Sequence, residues 1–213
     1  MAIDKGFAVD NITTNVHTEF MEHGRVRTIF RVERYDFDQT MWAACKLDID
    51  RPEAQHFKML GVRPYDVTED WDCNLITNAG WNLFLKGKTL LSTDTAPTVW
   101  YDATHGRIGI GTSATAATYT DTALTSIAGM TGNNWILCGA APTVASSART
   151  AIFTASFGLT DAVGNWNEFA VDQGTASAAS TAATAPMLNH GIPVTSTKNS
   201  SQTWAATVTL TFS

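Results

Sequence analysis

The chain has 213 residues, 44% of them hydrophobic, with a formal net charge of −6 and a pI near 5.2. That length builds one large or two small domains, and that charge excludes a nonspecific nucleic-acid binder, which needs a basic face to neutralise phosphates. No apolar run approaches the ~20 residues of a membrane span, and Met1-Ala2-Ile3-Asp4-Lys5 lacks the basic-then-apolar pattern of a secretory leader. The expectation is a chain that folds in a cytoplasm and uses no membrane. Cys45, Cys73 and Cys138 are scattered, with no C-x-x-C, and read as buried free thiols.

Charge is distributed unevenly. Residues 1–73 hold 9 of the 14 Lys/Arg and 14 of the 20 Asp/Glu, and the remainder is almost uncharged. The chain is therefore read as a charged N-terminal arm or docking region, 1–73, followed by a Thr/Ala/Ser-rich β domain, 74–213. Residues 1–24 show little periodicity and read as irregular or extended chain. From Arg25 to Tyr35 the parity alternates: Val26, Thr28, Phe30 and Val32 on one side, Arg25, Arg27, Ile29, Arg31, Glu33 and Tyr35 on the other. This predicts a strand with a basic face. Arg25, Arg27, Arg31 and Arg34 are the candidate docking residues, since Arg suits bidentate contact with carboxylates on a partner.

Residues 36–73 are rich in Asp and Glu, and Arg51 to Gly61 reads as one short helix. Asp50 would cap that helix, Pro52 suits its first turn, and Gly61 would end it. Asp48, Asp50 and Glu53 lack calcium-loop spacing. Asn74 to Gly87 predicts a second helix capped by Thr77 or Asn78. Val99 to Tyr101 and Arg107 to Gly111 predict strands. The stretches Thr112 to Thr125 and Ser177 to Ala185 are long, small-residue loops, tolerable where they lie on a neighbouring chain.

Further strands are predicted at Arg149 to Phe157, Trp166 to Val171 and Met187 to Val194, with a turn at Thr197 to Ser201. The last ten residues alternate without a break. Trp204, Ala206, Val208, Leu210 and Phe212 are apolar, and Thr207, Thr209, Thr211 and Ser213 carry hydroxyls. Ala151, Phe153, Ala155 and Phe157 form a matching apolar set. The fold class predicted is mainly β: an antiparallel β-sandwich, jelly-roll-like, with one or two short helices and an extended N-terminal region.

No catalytic constellation stands out. Gly106-Arg107-Ile108-Gly109-Ile110-Gly111 brushes the dinucleotide fingerprint but leads into a loop, so its glycines are read as letting a backbone or an aromatic ring approach the strand. Asp94-Thr95-Ala96 and Asp121-Thr122-Ala123 resemble the aspartic-protease motif but lie too close together to come from two lobes. Glu168 and Asp172, with Asp161, offer a weak glycosidase pair. His17, Glu19 and His23 read as surface residues. No metal or cofactor is expected, and no enzyme. The seven tryptophans are assigned to core or subunit contacts, with a glycan platform as the alternative.

From Leu60-Gly61-Val62-Arg63-Pro64-Tyr65-Asp66-Val67 onward the order of motifs resembles small structural proteins of tailed bacteriophages. The likeness runs through Asn74-Leu75-Ile76-Thr77-Asn78-Ala79-Gly80, Arg107-Ile108-Gly109-Ile110-Gly111 and Asp121-Thr122-Ala123-Leu124. It continues through Phe153-Thr154-Ala155-Ser156-Phe157-Gly158, Trp166-Asn167-Glu168-Phe169, Met187-Leu188-Asn189 and the final Thr-Val-Thr-Leu-Thr-Phe-Ser. The resemblance implies a noncatalytic virion protein, first a capsid decoration (cement) protein that docks across major capsid protein subunits and stabilises the head. The expected location is then the capsid surface of a virion made in a bacterial cytoplasm, and a homo-oligomer, with a trimer as the guess. A tail or neck appendage that binds a glycan or receptor is the alternative.

Overall fold

The terminal strand is the longest of its sheet together with β1 (Val26–Tyr35), and two strands pair with it along most of its length. In the computed structural model, which describes residues 26–71, 74–80, 104–140, 143–145, 150–183, 187–193 and 196–212, β12 (Thr203–Phe212) lies between β1 and β7 (Thr150–Phe157). The register with β1 runs from Val26 opposite Phe212 to Tyr35 opposite Thr203. β2 (Asp66–Trp71) and β6 (Thr143–Ala145) close the edges, giving the antiparallel order β2-β1-β12-β7-β6. A second antiparallel sheet is made of β3 (Asn74–Ile76), β4 (Arg107–Gly111), β5 (Trp135–Leu137), β9 (Glu168–Asp172) and β10 (Met187–Gly191). Its order is β3-β10-β9-β4-β5. β8 (Gly164–Trp166) and β11 (Ser196–Lys198) form a separate two-stranded ribbon.

The fold is thus mainly β and antiparallel, as the alternation predicts. Trp204, Ala206, Val208 and Leu210 point inward with Phe153, Ala155 and Phe157, and with Phe30 and Val32 of β1. Ile76, Ile108, Ile110, Phe169, Val171 and Leu188 of the second sheet meet them in one apolar core. Phe30 and Phe169 stack across it, centroids 4.2 Å apart. Burial of so many large side chains, at ~1.5–3 kcal/mol each, is what holds the sheets together. The expected boundary at 73/74 falls between β2 and β3. β1 and β2 are nevertheless strands of the same sheet as β7 and β12, so residues 26–71 form an integral part of the β scaffold.

Two helices sit on the outer side of the first sheet. α1 (Phe37–Leu47) lies in the acidic stretch ahead of the one helix expected there. Asp36 accepts from the Gln39 N–H at 2.8 Å while the Gln39 side chain accepts from the Asp36 N–H at 3.1 Å, a reciprocal cap of the first turn. α2 (Ala54–Met59) starts later than expected, after Glu53 rather than Asp50, and Gly61 follows it at φ +70°. Tyr35, Ala43, Phe57 and Ala205 pack together beneath the helices, with the Tyr35 and Phe57 rings stacked at 3.8 Å. Of the predicted helix at Asn74 to Gly87, Asn74–Ile76 is strand β3. Thr77 does cap a helical turn, accepting from the Gly80 N–H at 3.0 Å. Residues 81–87 and Val99 to Tyr101 lie outside the described residues. Among the described residues no helix is long and apolar enough to cross a membrane.

Gly109 shows why β4 needs a glycine beside Trp135. A Cβ there would stand 2.5 Å from the Trp135 ring of the neighbouring strand. Gly109→Ala is therefore expected to destabilise the protein by about 1–3 kcal/mol, the usual cost of overpacking. The check is a lowered urea midpoint with an unchanged slope; no change would mean that the ring does not rest on this glycine.

Candidate functional site

Of the four predicted docking arginines, the structure describes the side chains of Arg31 and Arg34, which lie on opposite faces of β1. Arg25 lies outside the described residues, and Arg27 is placed only by its backbone, opposite Thr211. Arg31 is half-exposed, donating to Glu33 at 2.8 Å and lying 3.6 Å from Glu69. Arg34 shares the inward parity of Phe30 and Val32 and is buried. It pairs with Asp66, donates to Thr68 Oγ1 at 2.6 Å and to Ser196 Oγ at 2.8 Å, and lies 4.4 Å over the Trp204 ring. Its reassignment from docking to internal packing follows from that register, since Arg34 is directly opposite Trp204.

Beside Arg31 the outer face of the first sheet forms a groove of about 910 Å³. Arg31, Glu33, Lys58, Arg63, Thr154 and Thr207 are among its lining residues. It mixes both charge signs with hydroxyls, so it has no strong electrostatic preference for one kind of ion.

The most organised polar chemistry lies in the second sheet. His190 on β10 is buried between two carboxylates: Nε2 is 2.9 Å from Glu168 Oε2, and Nδ1 is 2.6 Å from Asp121 Oδ2. Glu168 on β9 is fully buried and also accepts from the backbone N–H groups of Thr125 and Ser126, both at 2.9 Å, and of Ser113 at 3.3 Å. Asp121 accepts from the Thr118 hydroxyl at 2.5 Å and the Thr118 N–H at 2.7 Å. Burial alone would lower the His190 pKa, but the bonds from Glu168 and Asp121 outweigh it and hold it above the ordinary imidazole value. Burial likewise opposes the ionised Glu168 and Asp121. For Glu168 the His190 bond and three N–H donors win; for Asp121 the two Thr118 donors and His190 win; both pKa values end below the ordinary carboxylate range.

The remaining candidates are separately engaged. Asp172 is fully buried against Arg107, with Nε to Oδ1 at 2.9 Å and a second contact at 2.5 Å, and Arg107 also donates to the Ala176 carbonyl at 2.8 Å. Asp161 pairs with Arg51 at 2.7 Å and accepts from the Gly158 N–H. Glu168, Asp172 and Asp161 thus sit in three different ion-pair groups. Lys198 is buried and donates to the Gly158 carbonyl at 2.7 Å, and burial pushes its pKa down to about 8 against the pull of Asp161.

Cys45 is exposed, against expectation, because it lies on the outward face of α1; Cys138 packs against the core, and burial pushes its thiol up to about 12. Cys73, Asp94, His17, Glu19 and His23 lie outside the described residues. Trp135, Trp166 and Trp204 are fully buried, as a core role requires, and Trp42 is exposed.

Sequence spacing could not have found the histidine cluster, since its members are 22 and 69 residues apart. What the cluster does is fasten loops. The loop from Ser113 to Ser126 is held at both ends on Glu168, and the Thr118 to Asp121 turn within it is held on His190. The other small-residue loop is fastened the same way: Trp135 Nε1 donates to the Ser180 carbonyl at 3.0 Å, and the Ser180 N–H donates to Asn134 Oδ1 at 3.0 Å. These bonds fasten the described parts of both loops on their own chain. Comparison with protein-family models, with curated proteins and with solved structures gives no match.

The cluster has a pH signature. A raised histidine pKa stabilises the fold fully below the unfolded value of about 6.5, and that stability is lost as pH rises through the folded value. The lowered carboxylates contribute above about 4 and lose their contribution as pH falls through their folded values. Lys198 acts in the opposite sense to His190 above about 8. In His190→Gln the loss of stability between pH 6.5 and alkaline pH should therefore be smaller than in the parent, with Lys198 common to both. Thermal unfolding across pH checks this; parallel curves would contradict it.

Proposed function

We propose that this chain is a noncatalytic structural protein of a bacteriophage virion, a capsid decoration protein that docks on major capsid protein subunits and stabilises the head. The observation that carries the reading is the use made of the buried ionisable groups. Glu168 pairs with His190 and Asp172 with Arg107, and both pairs bond to loop backbone, so their energy goes into ordering Thr/Ala/Ser-rich loops. Such loops have few apolar groups to bury, and polar fastening is how they are fixed. This fits an architectural part, and the motif order from Leu60 onward supports the virion setting. Modest contacts suffice in this role, because many copies on one shell add avidity. A homo-oligomer on the capsid surface is the assembly proposed.

Cosedimentation with mature, undecorated capsids tests the reading. Saturable binding at a symmetry-related copy number is expected. No binding to heads, with binding to tails or host cells, would move the assignment to the appendage class. Arg31→Glu, with Arg25→Glu and Arg27→Glu, is expected to weaken docking at least tenfold while the fold persists. Arg34 is excluded from that set: its replacement would leave Asp66 without its partner and uncover Trp204.

A further inference from the structure

We propose that α1 is the contact through which two copies of this chain pair, antiparallel and about a two-fold axis. The helix is built the wrong way round for a monomer. Its inward side carries the small residues Thr40 and Ala43, which are buried. Its outward side carries Phe37, Met41 and Trp42, exposed at 47%, 42% and 45%, together with exposed Cys45. A surface helix ordinarily turns its large apolar residues toward the core. Here Phe37, Met41 and Cys45 fall at i, i+4 and i+8 and form one exposed stripe beside Trp42, the kind of patch that marks an interaction site.

Charge selects the occupant. Asp38 lies in the first turn and Lys46 in the last, on the same side as Trp42, again at i, i+4 and i+8. An antiparallel copy centred near Met41 and Trp42 sets each Asp38 beside the Lys46 of its mate. Met41 and Trp42 then pack at the axis and Phe37 covers the Cys45 of the mate. A parallel copy would set like charges together. The face is thus complementary to itself, as a two-fold contact requires, and antiparallel helix dipoles add to it. The helix is also held ready, by the Asp36–Gln39 cap at its start and by Asp48, left-handed at φ 54°, at its end. Lys46 lies 5.9 Å from the ring of its own Trp42, within reach of the proposed seam. An eleven-residue helix is about 16 Å long, so the contact is small and the pairing reversible rather than obligate.

This pairing goes beyond the virion reading and does not rest on it; failure on capsids would leave the following result unchanged. Sedimentation velocity of the full chain over a wide concentration range is expected to show a monomer–dimer equilibrium. Asp38→Lys and Lys46→Asp are each expected to weaken it by about tenfold or more, since each reversal opposes like charges twice across the axis. The double variant Asp38→Lys/Lys46→Asp should recover the parent's dissociation constant to within a few-fold. Circular dichroism of each variant confirms that it is folded. A parent that stays monomeric, an oligomer indifferent to the single reversals, or a double variant that does not recover would each overturn the proposal.

Discussion

Glu168 is a carboxylate without access to water, and much of the second sheet is arranged around neutralising it. An ionised group in such a place is costly unless it is both paired and hydrogen-bonded. Here the pairing comes from His190 on the adjacent strand and the hydrogen bonds from three loop N–H groups. Gly111 makes the room: a Cβ at that position would collide with the Glu168 side chain. The charge is therefore a fixed point on which strand, histidine and loop depend together. Removing any one leaves the others with an unmet polar group, so the arrangement is cooperative.

The same device recurs on either side. Arg107 and Asp172 tie β4 to β9, with the guanidinium 4.8 Å over the Trp135 ring. Arg34 joins β1 to β2 and to Ser196 of β11. In each case an arginine that could have faced a partner is turned inward. The first sheet is held by apolar burial, and the polar loops of the second by buried ion pairs and hydrogen bonds. A scaffold so divided needs few hydrophobic residues in its loops, and among the described residues of the second part Arg107, Asp161, Glu168, Asp172, His190 and Lys198 are buried.

How much of this was legible depended on whether the signal was local. The alternation of β12 and β7 could be read directly, because every other residue there is apolar and turned to the core. The role of Gly109 was legible too, although the ring that approaches it could not be named from spacing. α1 was hidden by its inverted faces, though Asp36 and Gln39 carry the spacing of a reciprocal cap. β2 was hidden because Asp and Glu are poor strand formers, and pairing with β1 overrides that preference; its acidic residues also suit an exposed sheet edge. The inward turn of Arg34 follows from the parity of Phe30 and Val32, but arginine composition alone suggested an outward one. The histidine cluster joins three distant segments, and only the sheet order brings them together.

The central claim is that His190 is a structural cation held between two carboxylates, without the free ring nitrogen that a general base needs. Nitrogen NMR of the assigned His190 imidazole, followed through a pH titration of the full chain, tests it most directly. Both ring nitrogens should remain protonated at pH values above about 6.5, the ordinary imidazole value, with their protons slow to exchange with water. A neutral ring at that pH, or a proton in fast exchange on either nitrogen, would contradict the claim and turn attention to His190 as a site of chemistry.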